Sequence, residues 1–375
     1  MHIIALENHP SSLRGGQELN LFEICKGLSQ RGHSITLVYE KEGNLLEHYQ
    51  NFSTNLVNVD TFLIDRSNIT DIFKFLADIW KISPHQSSII FSNRYHDAFF
   101  GSLLGFSKNI PHVCYLQLPP VEHKFSRPIA LGLKGVKKFI TVSNQTKFDW
   151  VKSGFQPEKI DVVYNGTNPE VFKPSEDFSL IRKEWNLPGN TRIFSYVGRI
   201  DKEKGLETLI KAFALLLKNC ANMKLLIAGK PVSQGEEYKK SLEQLVLDLG
   251  IENSVSFIGY IANTTGLYQV SDVTVLASCW SDPFPRTIIE SMACGTPVVA
   301  SRIGGIPEFL TGEFQAGLFE PANEQDLSYT LSQMMDWRDK NPQLGDKCRA
   351  HVLSKFTLDN LVNGIEKVLL RMVTQ

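Results

Sequence analysis

The sequence predicts an α/β protein made of two doubly wound domains, each a parallel sheet with helices packed on it. Short apolar runs alternate with segments whose apolar residues recur at helical spacing, from one end of the 375-residue chain to the other. The alternation fades between Asn168 and Asn190, where prolines and charged residues dominate, and then begins again. At about 150 residues per domain, this length suits two or three domains.

Six apolar runs in the first half of the chain predict buried strands. After the first run, Gly15 and Gly16 form a turn, and a helical stripe of apolar residues follows them. We place the end of this domain at residue 170, where the alternation weakens. The predicted strands are Met1–Leu6, Ser34–Tyr39, Ser88–Phe91, His112–Leu116, Phe139–Val142 and Ile160–Val163.

The second domain, over residues 171–357, repeats the alternation. Its first helix has Leu206, Leu209, Ile210 and Phe213 on one face. The last helical segment, Leu358–Val373, has no strand after it and could pack on either domain. The predicted strands are Arg192–Val197, Lys224–Ala228, Val255–Ile258, Val273–Ala277 and Pro297–Ala300. Two such domains predict a ligand-binding cleft at the carboxyl ends of the two sheets.

The composition excludes several classes of protein. Hydrophobic residues make up 42% and charged residues 21% of the chain, which is typical of a globular rather than a disordered protein. Lys plus Arg number 39 against 40 Asp plus Glu, so the formal net charge is -1 and nucleic acid is not an expected partner. The 6 cysteines include no C-x-x-C pair, which argues against a zinc ribbon or a disulfide framework and favours a reducing compartment.

The start of the chain predicts a buried strand rather than a signal peptide. No basic residue precedes the run Met1–Leu6, and Glu7 interrupts it. No stretch of about 18 apolar residues occurs that would span a membrane. These features predict a cytoplasmic protein.

A strand–turn–helix segment with two prominent cations is the first candidate ligand site. Gly198 and Arg199 follow a predicted strand, and Lys204 precedes a predicted helix. A helix N-terminus offers unpaired N–H groups and a partial positive charge, and Arg and Lys complement a diphosphate. A solvated charged loop has the same composition, so this segment alone does not identify a phosphate site.

Two carboxylates form the second candidate site. Asp282 lies in a loop after a predicted strand, and Glu290 lies about two turns into the helix that follows. We expect that helix to start at Pro285 or Arg286, so that amides such as that of Thr287 face a ligand. The carboxylates could perform acid–base chemistry, as in glycoside hydrolysis, or accept hydrogen bonds from a hydroxyl-rich ligand.

Two glycine turns and several missing motifs narrow the range of ligands that the chain could bind. Gly15-Gly16 and Gly304-Gly305 each stand between a predicted strand and a helix, where glycine lets the backbone approach a ligand. The dinucleotide motif G-x-G-x-x-G and the ATPase motif G-x-x-x-x-G-K-[ST] are missing, as are Asp-x-Asp and His/Cys clusters with metal spacing. Binding of a diphosphate would therefore depend on cations and helix N-termini, and no metal is predicted.

Together these segments resemble glycosyltransferase family 4, whose members are retaining enzymes with the two-domain GT-B architecture. The resemblance covers most of the chain and depends on the order and spacing of its segments. They are Gly15-Gly16, residues 141–144 and 162–167, Gly198-Arg199 with Lys204-Gly205, residues 282–298, and residues 304–308.

The resemblance implies two Rossmann-like domains facing across a cleft, with the C-terminal helix 358–375 joined to the first domain. It also implies a nucleotide-sugar co-substrate (a UDP-, GDP- or ADP-sugar) and no other cofactor. Arg199 and Lys204 would bind the donor diphosphate and stabilise its departing charge, and Asp282 would contact the transferred sugar. These three are the implied catalytic residues.

Further donor contacts follow from the same resemblance. Glu290 matches the second acid of the family's E-x7-E motif and would hold the ribose hydroxyls. Gly16 would let a loop of the first domain close on the phosphates, and Gly259 and Tyr260 resemble the base-contacting loop. The remaining implied donor-binding residues are Gly198, Phe284, Pro285, Arg286 and Thr287.

Three positions depart from the family's pattern. Asp282 replaces Glu and is one methylene shorter, and Pro285 stands where Gly is commoner and has no N–H to donate. Gln117 stands where many members carry a His near the acceptor, and Gln cannot act as a general base. These departures make the identity of the sugar less predictable from the family.

The leading hypothesis is a metal-independent, hexosyltransferase-like enzyme that transfers a sugar to an acceptor hydroxyl in glycan, glycolipid or polysaccharide synthesis, with the anomeric configuration kept. One alternative is a sugar-nucleotide epimerase of the same fold. The other is a non-catalytic nucleotide-sugar-binding subunit, which the three departures motivate.

The acceptor is expected to be a carbohydrate or a lipid-linked molecule. His96 follows a predicted strand and could contact it together with Gln117, although a structural His in a turn explains His96 equally well. Residues 121–138 contain five Lys or Arg and one acid, Glu122, a net charge of +4. This segment could contact an anionic acceptor or the inner face of a membrane, and a solvated basic surface is the alternative.

Overall fold

The computed structural model describes residues 1–63, 69–121, 125–175, 177, 179–185, 187–231 and 236–374. These residues form two compact units. The first contains Met1–Asn165 and Leu358–Gln375, and the second contains Gly166–Thr357. The domain boundary that the sequence predicts after residue 170 stays a prediction.

The described residues form thirteen strands in two sheets, and every strand pairing is parallel. The strands of the first unit are β1 (His2–Glu7), β2 (Ser34–Tyr39), β3 (Asn55–Asn58), β4 (Ser88–Ser92), β5 (His112–Leu116), β6 (Lys138–Thr141) and β7 (Ile160–Val162). Those of the second unit are β8 (Arg192–Val197), β9 (Met223–Ala228), β10 (Val255–Gly259), β11 (Val273–Leu276), β12 (Val298–Ser301) and β13 (Leu318–Phe319).

Sixteen α-helices connect or follow the strands in the described part of the chain. They are α1 (Gly16–Gln30), α2 (Leu46–Gln50), α3 (Ile69–Lys81), α4 (Ala98–Lys108), α5 (Arg127–Gly135), α6 (Asn144–Lys152), α7 (Ser179–Glu184), α8 (Leu206–Leu217), α9 (Glu236–Asp248), α10 (Thr265–Val270), α11 (Arg286–Ala293), α12 (Ile306–Phe309), α13 (Glu324–Met334), α14 (Trp337–Lys340), α15 (Leu344–Lys355) and α16 (Leu358–Val373). None of the described helices is long and apolar enough to cross a membrane.

Both sheets reverse their strand order near the middle. The seven-stranded sheet has the order β3-β2-β1-β4-β5-β6-β7, and the six-stranded sheet has the order β10-β9-β8-β11-β12-β13. Connections leave in opposite directions from the central pairs β1/β4 and β8/β11, which opens a crevice beyond their carboxyl ends. The prediction of two doubly wound, Rossmann-like domains is confirmed, and each has one such switch point.

Two strands were not predicted from the sequence. β3 has asparagine at both ends, so it lacks a continuous apolar run, and β13 is only two residues long. Both lie at the edge of a sheet, where one side of the strand has no neighbour to bury it. The predicted strands all occur, with shifts of no more than one residue at their ends.

The last helix packs in the first unit. α16 buries its apolar stripe, including Val362 and Leu369, and a Cβ on Gly27 of α1 would lie 2.7 Å from Val362. Arg31, just after α1, donates to Glu366 at 2.7 Å and also contacts Asp359 of α16. Tight packing and this ion-pair cluster fix α16 on α1.

Candidate functional site

The turn after β8 is held against the loop after β11 in the second unit. Lys202–Lys204 form one turn of 3-10 helix, and Gly205 then adopts a left-handed conformation (φ 63°) that leads into α8. A Cβ on Gly205 would lie 1.9 Å from the Ala277 carbonyl oxygen, so only glycine fits there without a backbone shift. The Cys279 N–H donates to the Glu203 carbonyl at 2.9 Å, which ties the two segments together.

This contact places Lys204 beside Asp282. The Lys204 ammonium donates to a carboxylate oxygen of Asp282 at 2.6 Å, and the two side chains are 20% and 8% exposed. β8 and β11 are neighbours at the switch point, so residues after their carboxyl ends meet although 78 positions separate them. A charge-assisted hydrogen bond in such a partly buried place is stronger than one between exposed groups.

The Gly304-Gly305 turn contacts the backbone of Asp282. The Gly305 N–H donates to the Asp282 carbonyl at 2.9 Å. Gly304 has φ 60°, and a Cβ there would lie 2.1 Å from the same carbonyl oxygen. The Gly304-Gly305 turn after β12 therefore positions the Asp282 backbone, a role that the sequence alone did not define.

α11 begins at Arg286 with Pro285 as its capping residue, as predicted, but Glu290 lies one turn from the helix start rather than two. The Arg286 Nε donates to one Glu290 oxygen at 3.1 Å, and the Tyr268 hydroxyl donates to the other at 3.1 Å. Burial first, and then the negative charge of Glu290, raise the pKa of Tyr268 well above its usual value. Tyr268 therefore stays a hydrogen-bond donor to Glu290.

The start of α11 also contacts the end of β8. Thr287 donates from its hydroxyl to the Val197 carbonyl at 3.2 Å. Phe284 has its ring buried against Phe309 and Phe356, with ring centroids 6.0 and 5.7 Å away. The Phe284 side chain is thus part of the core. That Phe284 contacts the donor stays a prediction, and its backbone would have to make that contact.

Arg199 is the most exposed of the predicted second-unit cations. Its guanidinium is 44% exposed and lies 3.3 Å from Asp201 and 3.8 Å from Glu203. The Arg199 carbonyl accepts from the buried Tyr196 hydroxyl at 2.6 Å. The backbone of Arg199 is therefore fixed, whereas its half-exposed side chain lies beside the largely buried Asp201 and the exposed Glu203.

Three glycines stand side by side at the ends of β8, β9 and β10. Gly229 donates to the Gly259 carbonyl at 2.8 Å, and a Cβ on Gly229 would lie 1.8 Å from the Gly198 carbonyl oxygen. The absence of side chains keeps this edge of the sheet open to a ligand. Gly198 and Gly259 were predicted from the sequence, whereas Gly229 was not.

Lys230 was also missed. Its ammonium lies 5.2 Å from the centre of the Tyr260 ring, in a cation–π contact, and Tyr260 is 48% exposed. Gly229 and Lys230 follow β9 just as Gly198 and Arg199 follow β8. The same strand-end rule, applied to β9, would have found both residues.

A separate polar cluster lies at the switch point of the first unit. Gln117, after β5, donates to the Asn93 side chain at 2.5 Å and to the Gln17 carbonyl at 3.1 Å, and accepts from Asn20 at 2.7 Å. Gln17 follows Gly16 at the start of α1, so Gly16 and Gln117 lie close together. Gln117 is 5% exposed, and its amide is fixed by this network.

The network continues to a buried acid. Asn93 donates to Glu7 at 2.5 Å, and Glu7 is 1% exposed at the end of β1. Burial, followed by the charges of Glu18 and Asp97, raises the pKa of Glu7 to about 8. Glu7 is therefore protonated at neutral pH, which no sequence pattern indicated.

His96 lies in a short 3-10 turn after β4, with its ring stacked on Tyr95 at 3.9 Å. It is half-buried and close in sequence to Asn93. Of the basic segment 121–138, Glu122 and Lys124 lie outside the described residues, and Arg127 and Lys134 are on α5. Among the described residues, no group of three or more His, Cys, Asp or Glu is arranged to hold a metal ion.

Two family models match the chain in succession. The one described as "Glycosyltransferase Family 4" matches residues 14–171, and the one described as "Glycosyl transferases group 1" matches residues 177–351. The two matched ranges together include all the predicted site residues.

Curated relatives are similar at modest identity. An uncharacterized glycosyltransferase of Methanocaldococcus jannaschii is 26% identical over 399 residues, which covers 97% of each chain. A D-inositol 3-phosphate glycosyltransferase of Corynebacterium kroppenstedtii is 29% identical over 207 residues, covering 54% of this chain and 46% of the relative. An N-acetyl-alpha-D-glucosaminyl L-malate synthase of Bacillus anthracis is 28% identical over 214 residues, covering 57% of this chain and 54% of the relative. The match thus spans about half the length of these last two relatives.

Solved structures share the fold. HepE from Anabaena, solved in complex with UDP, superposes with a TM-score of 0.85 at 22% identity, covering 98% of this chain and 99% of that one. A sucrose-phosphate synthase from Thermosynechococcus elongatus gives a TM-score of 0.81 at 21% identity, covering 100% and 99%.

Proposed function

Because the chain belongs to the group 1 glycosyl transferases of glycosyltransferase family 4, we propose that it transfers a sugar from a nucleotide-diphosphate-sugar to an acceptor hydroxyl with retention of configuration. The observation that carries this proposal is the pairing of Lys204 with Asp282, beside the start of α11. A cation, a carboxylate and a helix N-terminus converge there at the switch point of the second sheet.

The donor's diphosphate is assigned to Lys204 and Arg199. As the bond to the sugar breaks, negative charge grows on the departing phosphate, and fixed cations and amide N–H groups stabilise that charge without reorganising. Lys204 is already fixed by Asp282, whereas Arg199 is exposed enough to turn towards a ligand. No metal takes part in the proposed reaction.

The sugar and the nucleoside are assigned to the neighbouring residues. Glu290 holds the ribose hydroxyls, because a carboxylate has about four lone-pair sites and, among the described residues, Arg286 and Tyr268 use two of them. Asp282 accepts a hydrogen bond from the transferred hexose. The open edge at Gly198, Gly229 and Gly259 takes the nucleoside, with Tyr260 and Lys230 beside the base.

Uridine is the first nucleoside to test. HepE from Anabaena, whose fold is similar, was solved with UDP and with UDP-glucose. GDP- and ADP-sugars remain the alternatives.

The acceptor is assigned to the first unit, at His96 and the network of Gln117. A hydroxyl of a carbohydrate or lipid-linked acceptor would have to replace one of the hydrogen bonds of this network, which is feasible because amide groups both donate and accept. The relatives' names include inositol phosphate, malate and lipopolysaccharide, so the family's acceptors are polar and chemically varied.

The experiment is a thermal-shift screen of the purified chain with UDP, GDP, ADP and dTDP, followed by sugars on the preferred nucleotide. We expect one nucleoside diphosphate to raise Tm, and its sugar conjugate to release it when an acceptor is supplied. NMR of the product then gives the anomeric configuration. Conversion of one nucleotide-sugar into another without acceptor would instead identify an epimerase. Binding without release from any donor would identify a non-catalytic subunit.

A further inference from the structure

α3 has an apolar face that nothing in the described structure covers. One side of the helix is buried: Phe75 and Ile79 belong to the core under the sheet, and the Phe75 ring packs on Phe100 of α4 at 5.3 Å. The opposite side is exposed although it is equally apolar. Phe73 is 67% exposed and Trp80 is 77% exposed.

The exposed face continues onto the end of α4. The Lys108 ammonium lies 5.0 Å from the centre of the Trp80 ring, so the C-terminal ends of the two helices are in contact. Phe106, two residues before Lys108 on α4, is 87% exposed. We call these exposed side chains the α3–α4 patch; its members are Ile72, Phe73, Leu76, Trp80 and Phe106.

The charges around the patch are mainly positive. Lys74 and Lys108 flank it, and Lys81 pairs with the buried Asp78. Asp60, 4.0 Å from Lys74, is the one exposed acid paired with these lysines among the described residues.

The adjoining helix α5 extends the positive surface. The Ser102 hydroxyl of α4 donates to the Gly132 carbonyl of α5 at 2.6 Å, so the two helices pack closely. α5 exposes Leu131 together with Arg127 and Lys134. α5, packed against α4, thus adds one exposed apolar side chain and two exposed cations to the first unit.

These features select among the possible occupants of the surface. Single exposed apolar residues are ordinary, but contiguous ones usually mark an interaction site. In a two-fold pairing with a second copy, the same lysines would face each other, which is unfavourable. An anionic lipid surface satisfies both features, since aromatic rings favour the headgroup boundary and Lys and Arg attract acidic phosphates.

We propose that the first unit docks on the surface of an anionic phospholipid bilayer through the α3–α4 patch. Phe73, Trp80 and Phe106 enter the boundary between headgroups and acyl chains, while Lys74 and Lys108 contact lipid phosphates. This binding does not depend on the proposed sugar transfer. It also identifies a surface other than the segment 121–138 as the main contact.

The test is flotation of the full chain with vesicles of phosphatidylcholine alone or with 40 mol% phosphatidylglycerol added, at low and high salt. We expect binding to the anionic vesicles at low salt, weaker binding at high salt, and little binding to phosphatidylcholine. The triple variant Phe73→Ser/Trp80→Ser/Phe106→Ser should lose at least tenfold in vesicle affinity. A matched variant of exposed apolar residues in the second unit, Leu180→Ser/Leu247→Ser/Tyr329→Ser, should bind like the wild type.

Two further measurements test whether the variants keep their fold and whether Trp80 itself contacts the vesicles. The Tm of each variant, and its shift with UDP, show that the fold and the nucleotide site are unchanged. Tryptophan emission should shift to the blue with anionic vesicles in the wild type, and this shift should be lost in Trp80→Phe. Failure of the wild type to float with anionic vesicles at low salt would overturn the proposal, as would wild-type binding by the triple variant. Conversion of a wild-type dimer to a monomer by the triple variant, without any vesicle binding, would assign the patch to a second copy.

Discussion

The Lys204 ammonium lies 2.6 Å from a carboxylate oxygen of Asp282, so the proposed phosphate cation is paired with the proposed sugar-binding acid before any donor is present. A donor that uses both residues must therefore change this pairing. Both side chains lie at the switch point of the second sheet and are largely buried. Because the two residues interact, the effect of replacing each one is predicted separately.

Replacing Lys204 removes the charge assigned to the leaving phosphate. We expect Lys204→Ala to lower kcat by about 10²–10³, or roughly 3 kcal/mol, as is typical of losing one donor to a developing oxyanion. The matched control is Lys202→Ala, which removes an exposed lysine from the same turn. Steady-state kinetics with the identified donor measure both. Equal turnover in the two folded variants would refute the assignment of Lys204.

Replacing Asp282 should separate binding from turnover. Asp282→Asn keeps the shape of the side chain but removes the negative charge that holds Lys204. We expect UDP to bind up to about tenfold more tightly, near 1.4 kcal/mol, because Lys204 no longer has to leave a carboxylate. Turnover should fall, because an amide oxygen accepts a hydrogen bond from the transferred sugar more weakly than a carboxylate does. Calorimetry and kinetics give the two numbers, with the exposed Asp346→Asn as control; weaker UDP binding in Asp282→Asn would contradict this account.

Gly205 should tolerate no side chain, for a reason beyond its backbone angle. Gly250 has nearly the same φ, 65° against 63°, but nothing lies within 4 Å of an added Cβ. Gly250→Ala should therefore cost about 1–2 kcal/mol of unfolding free energy, the usual cost of a left-handed non-glycine residue. Gly205→Ala should cost more, because its Cβ would lie 1.9 Å from the Ala277 carbonyl oxygen. Urea unfolding compares them, and equal losses would show that the Ala277 loop moves freely.

Glu7 should make stability depend on pH. The folded chain keeps the Glu7 proton up to about pH 8, since burial raises the pKa of Glu7 to about 8, well above the ordinary value of a glutamate. The unfolded chain loses that proton near pH 4.5, so Glu7 lowers the free energy of unfolding as pH rises through this window and no further above it. The slope for one such group is at most about 1.4 kcal/mol per pH unit.

Glu7→Gln tests this directly, because glutamine resembles the protonated acid and can still accept from Asn93. We expect the difference in unfolding free energy between pH 6 and pH 8 to shrink by about 2 kcal/mol relative to the wild type. The exposed Glu47→Gln should leave the difference unchanged. A wild-type pH profile in Glu7→Gln would mean that Glu7 is ionised in the folded protein.

The sequence predicted those parts of the fold and of the candidate site that have a local cause. Buried strands such as Ser34–Tyr39 show as apolar runs, and Gly198, Arg199 and Lys204 follow one of them directly. The edge strand Asn55–Asn58 was not predicted from the sequence, because a strand that pairs on one side only does not need a run of apolar residues.

Contacts between distant segments could not be predicted in the same way. The pairing of Lys204 with Asp282, the support of Asp282 by Gly304, and the protonated Glu7 beneath Asn93 depend on which strands are neighbours. Strand order comes from the packing of the whole sheet. Lys230 is different, because its position after a strand was visible in the sequence and was overlooked.

The position of α16 in the first unit has a consequence for how the protein is made. Residues 166–357, which form the second unit, leave the ribosome before α16 does. Throughout that interval the nascent first unit lacks the helix that covers Gly27 and pairs with Arg31. The first unit therefore cannot complete its packing until α16 has been synthesised, after all the residues of the second unit.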